Sequence, residues 1–443
     1  MGARMKNKRR AAPPVFPPPR GGRTPQGGGL GGALWQHTAR ALAAALITGT
    51  TAHAASSIQL QFQPADGPAG GPPITGRSTK PGFEGSIDAT SFQWGVAVGI
   101  ARPSTGAPQI SMPSLSDITW TQALDTSYTR LQTALFTGGY YTSTVSFVDG
   151  RPNLSAGTYL SMRTDTSAIS SLSISSGGDR PTISASEAFR SFNLTYHDPA
   201  AGAVDVFWNS ENNLASGPTS RAARVLAAGR GAASGLYLRL GARSDAIVGD
   251  STDRGYENWI KLNSFQMGVG VGLTPNSSGG FQQSTPSVSE LTVTQAFDGA
   301  VPVILGNLLR GRSIGQATLE YVQGSAAGSV TAMQLELDDV IFSGLSLSSG
   351  GELPSVSESL NFSGFTQTTW NINNDGTRGA ADVFSYDLVR KAVRGNPAPA
   401  ASIAGFGAGM LAPIQAPIPE PQTWALMAGG IAMLALLRRR RPR

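Results

Sequence analysis

The chain has 443 residues, 55 of them glycine, with no cysteine and only 14% charged residues. The length suits two or three domains, and the absent cysteine excludes disulfides, thiolate metal sites and cysteine catalysis. The net charge of +6 belongs to the ends: eight basic residues precede residue 55 and five follow Pro421, leaving 21 in a body that carries all 28 acidic residues, so that body sits near −7 and has no electrostatic reason to seek nucleic acid.

Residues 1–54 read as an export segment. A basic patch at Lys6–Arg10 is followed by a Pro/Gly-rich stretch and an apolar run from Ala41 to Ile47. Ala52-His53-Ala54 fits the small-x-small pattern before a cleavage point, which puts the mature start near Ala55.

The body is duplicated. FEGSIDATSFQWGVAVGI (83–100) aligns without gaps to YENWIKLNSFQMGVGVGL (256–273) at an offset of 173 residues. PSLSDITWTQALD (113–125) meets PSVSELTVTQAFD (286–298), and LSISSGGDRPTIS (172–184) meets LSLSSGGELPSVS (345–357), at the same offset. Asp205-Val206-Phe207 pairs with Asp382-Val383-Phe384 near the repeat ends. Such a period marks one structural unit used twice. The first repeat spans 57–209, the second 234–389, and the Gly/Ala/Arg-rich 210–233 reads as a linker.

Each repeat reads as several strands, one helix, then more strands. Val293, Gln295 and Phe297 alternate with Thr294 and Ala296, as in a strand. Val301, Ile304, Leu305, Leu308 and Leu309 then fall on one helical face, matched by Tyr128, Leu131, Gln132, Leu135 and Phe136 in the first repeat. Gly138 and Gly311 stand where these helices should end. The fold expected is mainly β: two tandem barrels, closed or nearly so, each with one α-helix packed outside.

Residues 390–418 read as a Pro/Ala/Gly spacer. The last segment, 419–443, has three parts: Pro419-Glu420-Pro421, an apolar run from Trp424 to Leu437 read as a hydrophobic helix, and the cluster Arg438, Arg439, Arg440 and Arg441. The run is shorter than a full span of ~20 residues, and the arginines should stay cytoplasmic. This tail resembles the PEP-CTERM sorting signal of Gram-negative bacteria, the substrate of the membrane protease exosortase. The resemblance implies a transient inner-membrane anchor, cleavage near Pro-Glu-Pro, and delivery to the cell surface or extracellular matrix.

The repeats carry a second resemblance. GDSTDRGYENWIKLNSFQMGVGVG (249–272) is similar to the opening of the haemolysin-coregulated protein family, Hcp, the tube subunit of type VI secretion; Gly249, Ser251, Asp253, Gly255, Glu257, Trp259, Ile260, Ser264, Phe265 and Gly268 carry it. Gly350, Gly351, Glu358, Leu360, Asn361 and Phe362 continue it. The first repeat keeps Phe83, Glu84, Ile87, Ser91, Phe92, Trp94 and Gly95, with a Pro/Gly-rich insertion at Pro64–Pro73. Tyr256 and Met267 depart from the family's usual His and Trp. The resemblance implies barrel-plus-helix subunits that assemble in sixes. With two per chain, a trimer forming a pseudo-hexameric ring is expected. Duplication, export and a sorting tail are not features of tube subunits, so a working tube does not follow.

The chemistry-bearing residues are sparse, and no catalytic, cofactor or metal site is expected. His197, the one histidine outside the export segment, reads as part of a turn beside Asp198. Asp250, Asp253 and Glu257 lack calcium-loop spacing and read as a polar inter-strand loop. Asp338-Asp339 reads as a solvated strand end. Gly268, Gly270 and Gly272 lack phosphate-loop spacing and suggest a close neighbour or a bend. Arg221, Arg224 and Arg230 have no interleaved aromatics for nucleic-acid binding. The alternative function is an extracellular polysaccharide-binding module, with exposed Trp120, Trp208 or Trp370 as stacking platforms.

Overall fold

The computed structural model describes residues 56–394 except 150–156, 199–201, 226–228, 230–232, 242–245, 276, 278–279, 326–327 and 352. The export segment, Arg230, the spacer beyond 394, Pro419-Glu420-Pro421 and Arg438–Arg441 therefore lie outside the described residues. Two units share the described chain. The first holds residues up to Trp94, Ser116–Leu214 and Leu347–Pro354; the second holds Gly95–Leu115, Ala215–Ser346 and residues from Ser355 onward.

In the first repeat β-branched and small residues alternate, and strands form where they do. The strands are β1 (Ser57–Pro64), β2 (Ile87–Ala97), β3 (Ile118–Ala123), β4 (Tyr141–Val148), β5 (Thr158–Ser175), β6 (Thr182–Ala188), β7 (Ser191–Asp198) and β8 (Gly202–Asn209). Every pairing between these strands is antiparallel. β1 pairs with β2 and β4, β2 with β3, β3 with β6, β6 with β5, and β5 with β4. Those six strands close a ring, which is the expected barrel; β7 and β8 extend it from β5. Ile118, Trp120 and Gln122 of β3 point inward while Thr119, Thr121 and Ala123 are less buried, the period of two that a half-buried strand requires. Phe92 meets Phe147 edge-on at 5.2 Å, and Trp94 meets Phe192 at 5.0 Å. Such geometry adds about 0.5–1.5 kcal/mol per pair beyond burial.

The first helix, α1 (Ser127–Thr137), ends at Gly138, whose φ of 71° a Cβ would oppose. Its buried residues are Ser127, Leu131 and Ala134. The expected stripe is fully buried only at Leu131: Tyr128 and Leu135 are half-buried, Gln132 is exposed and Phe136 is 80% exposed.

The second repeat follows the same plan. Its strands are β9 (Gly235–Leu240), β10 (Ile260–Gln266), β11 (Leu291–Ala296), β12 (Ser313–Ser325), β13 (Gly328–Ser349), β14 (Ser355–Asn361), β15 (Gly364–Ile372) and β16 (Arg378–Asp387), with α2 (Val301–Leu309) after β11. β9 pairs with β10 and β12, β10 with β11, β11 with β14, and β12 with β13, as their counterparts do in the first unit. α2 is buried on every side, not on one face. The reason is a strap formed by residues 217–224, inside the stretch read as a linker. Asn307 donates to Thr219 O at 2.9 Å and Arg310 donates to Gly217 O at 2.9 Å. A Cβ on Gly306 would stand 2.5 Å from Pro218 O, so glycine permits the close approach.

Two local readings need correction. His197 lies in β7, opposite Ala203, not in a turn. Asp338 and Asp339 sit in the middle of β13, not at its end. Asp339 has φ 49° at an irregularity of the ladder, where Asp is better tolerated than most side chains.

Candidate assembly surface

The loop before the second strand of each repeat is built identically. Gly249 N donates to Asn258 O at 3.0 Å, and Gly76 N donates to Gly85 O at 2.7 Å. Tyr256 N donates to Asp253 O, and Phe83 N to Lys80 O, both at 2.8 Å. Glu257 accepts from Gly255 N at 3.0 Å, as Glu84 accepts from Gly82 N at 3.1 Å. The motif therefore begins at Gly76 in the first repeat as well. Gly76, Ser78 and Gly82 stand 173 residues before Gly249, Ser251 and Gly255, a signal of the same motif in the sequence itself.

Asp250 and Asp253 of the second loop are tied to cations of the protein. Asp250 takes Arg221 at 2.7 Å and also Arg224, which pins the strap to the loop. Asp253 takes Lys261 at 2.7 Å and accepts from Tyr237 at 2.6 Å; the Lys261 bond, followed by that of Tyr237, holds its carboxyl below the ordinary range. These groups serve the fold. Asp338 pairs with Arg394, and Asp339 with Arg102.

The expected stacking platforms are not present as a set. Trp120 is fully buried and Trp208 nearly so, both in the aromatic core of the first unit. Trp370 is partly exposed, with the Arg378 guanidinium 4.4 Å from its ring centroid.

After its second strand each repeat sends out a hairpin arm. In the first arm Ile100–Ala101 pairs with Gln109–Ile110; in the second Leu273–Pro275 pairs with Phe281–Gln283. Gly99 N donates to Ser111 Oγ, and Gly272 N to Ser284 Oγ, both at 2.8 Å. Of Gly268, Gly270 and Gly272 only the last has a close neighbour: a Cβ there would stand 3.2 Å from Ser284 Oγ, against 3.7 and 3.9 Å from the nearest side-chain atoms at the other two.

The arms have the same local structure and opposite environments. The first arm belongs to the second unit. Val96 and Val98 are 4% and 6% exposed; their counterparts Val269 and Val271 are 60% and 40% exposed. Val98 N donates to Ser343 O at 2.9 Å. Arg102 reaches Asn361 Oδ1 at 2.6 Å and also binds Asp339. Ile110 packs on Gly311 at the end of α2. On the second arm Leu273 and Phe281 are exposed as well.

The seat of the first arm has a counterpart in the first repeat, 173 residues earlier. Ser343 donates to Glu290 at 2.6 Å, and Ser170 donates to Asp117 at 2.6 Å. Thr166 has φ 53°, as Asp339 has 49°. Yet Ser170 is exposed where Ser343 is buried.

Among the described residues, each repeat is thus a set of antiparallel strands with one α-helix and one outgoing arm. The chain belongs to the family described as type VI secretion system effector, Hcp, which matches it twice, at residues 62–196 and 237–371. Among solved structures, the chain is similar to one described as a type six secretion system protein, at 20% identity over 37% of this chain and all of that one, with a TM-score of 0.34. It is also similar to Hcp1 from Salmonella typhimurium, at 16% identity over 37% of this chain and 99% of that one, with a TM-score of 0.30. A third is the secreted protein Hcp3 from Pseudomonas aeruginosa, at 17% identity over 34% and 98%, with a TM-score of 0.25. No curated protein sequence matches the chain. Among the described residues no helix is long and apolar enough to cross a membrane.

Proposed function

We propose that this protein is a structural, non-enzymatic subunit that associates with copies of itself through the second arm, three chains making a ring of six Hcp-like domains. One observation carries the reading: Val96 and Val98 are buried, while the same residues one repeat later, Val269 and Val271, face solvent. Exposed apolar surface on an extended hairpin is a site for strand pairing and burial. Export and exosortase-directed sorting to the cell surface or matrix belong to the same proposal, on the strength of residues 1–54 and the tail from Pro419. The test replaces Val269 and Val271 by Glu. Solution mass should fall to that of a single chain with the circular dichroism unchanged. Undiminished association would remove the arm from the assembly.

A further inference from the structure

The chain holds one completed arm seat and both halves of an unfilled one, and the two are not chemically equal. In the completed seat Arg102 is held by Asp339 and Asn361, and its side chain is only 12% exposed. Ile110 adds an apolar contact against Gly311. One repeat later Arg102 is replaced by Pro275 and Ile110 by Gln283; one repeat earlier Asp339 is replaced by Thr166 and Asn361 by Ala188. What survives in the unfilled seat is the valine pair of the arm, the edge of β5 at Ser170 with its Asp117 partner, and the glycine after the helix, Gly138.

We infer that the second arm docks on the β5 edge, residues 168–174, of the first repeat of a second copy, and that this junction is the weak one because it lacks the ionic clamp and the isoleucine contact. The inference rests on the proposed self-association and adds where and how tightly the copies meet. The occupant is a second copy, because the chain's own second repeat already receives a homologous arm. The retained Val269 and Val271 match the two valines that the completed seat buries. The geometry is head-to-tail, so it closes into a ring or runs on as a filament according to the rotation per step. Charge-assisted hydrogen bonds are the stronger kind, so their absence makes chain-to-chain association reversible while the first arm stays seated.

The experiment restores the missing parts in the chain from Ala55 to Pro399, which holds every described residue. Pro275→Arg with Thr166→Asp rebuilds the clamp on two exposed positions. Thr166 already has the backbone conformation in which Asp339 is accommodated. Gln283→Ile separately rebuilds the apolar contact. Pro275→Arg with Thr166→Arg is the control that places like charges together. Light scattering over a concentration series should show the rebuilt clamp lowering the midpoint of association at least tenfold, with Gln283→Ile lowering it by less and the like-charge pair raising it. If the parent chain associates and neither the rebuilt clamp nor Gln283→Ile tightens it, the inferred seat is wrong while self-association stands. If neither parent nor variants associate at millimolar concentration, self-association itself fails. Should a variant lose its β circular dichroism, the comparison of Gln283→Ile with the parent still decides.

Discussion

Gln295 Nε2 donates to Glu358 Oε1 at 2.9 Å across β11 and β14, with both side chains buried. Burial, then the nearby Asp298 charge, push the Glu358 carboxyl up to about 8, against the opposing effect of the Gln295 bond. The folded protein thus keeps a proton that the unfolded chain releases near 4.5. Stability from this group is complete below pH 4.5 and falls as pH rises toward 8, by up to about 1.4 kcal/mol per pH unit. Glu187 in the first unit, raised to about 7 by burial, has the same sign. Glu358→Gln should flatten the decline for the second unit in urea melts at pH 5 and pH 8. Parallel curves for parent and variant would contradict this.

The position of Glu358 is an exchange of volume between repeats. Its counterpart is Ala185, which lies opposite Trp120; Glu358 lies opposite Val293. One repeat combines large with small and the other two of middle size, so the space between the strands is filled both ways. Trp120→Ala should cost the first unit about 3–5 kcal/mol, read by denaturant melts. Because the ring is buried, a loss well under 1 kcal/mol would contradict the packing described.

Asp250 holds the strap through Arg221 and Arg224. Asp250→Ala leaves both guanidinium groups without that carboxylate and should destabilise the second unit by about 1.5–3 kcal/mol. Amide exchange in α2 should accelerate, because Asn307 and Arg310 bind the same strap. Unchanged exchange in α2 would show that the strap does not depend on Asp250.

Arg102→Ala should loosen the first arm. Limited proteolysis between Arg102 and Ile110 should become at least several times faster, with little change in the melting of the first unit. Cleavage at the parent rate would mean that the valines alone hold the arm.

Much of this fold is legible in the sequence because strand period and repeat offset are local properties. The alternation in β3 and β11, the helices after them and the glycines that end the helices follow from spacing. The first repeat's Gly76–Ser86 loop is less legible because Ser86 stands where Trp259 does, removing the landmark side chain while the backbone pattern stays. The environments of Phe136 and Leu309 differ, 80% against 4% exposed, although they occupy equivalent helix positions. What covers α2 includes residues 217–224, outside the repeat, so no helical periodicity reports it. Val96 and Val269 are the same amino acid in the same local context, and only the neighbouring chain segments distinguish a buried arm from an exposed one.

The most direct test is the solution mass of the chain from Ala55 to Pro399 across a concentration series. The mass should rise from that of one chain to a plateau at three, and the rise should be lost when Val269 and Val271 become Glu. A mass of one chain at every concentration up to the millimolar range would contradict it.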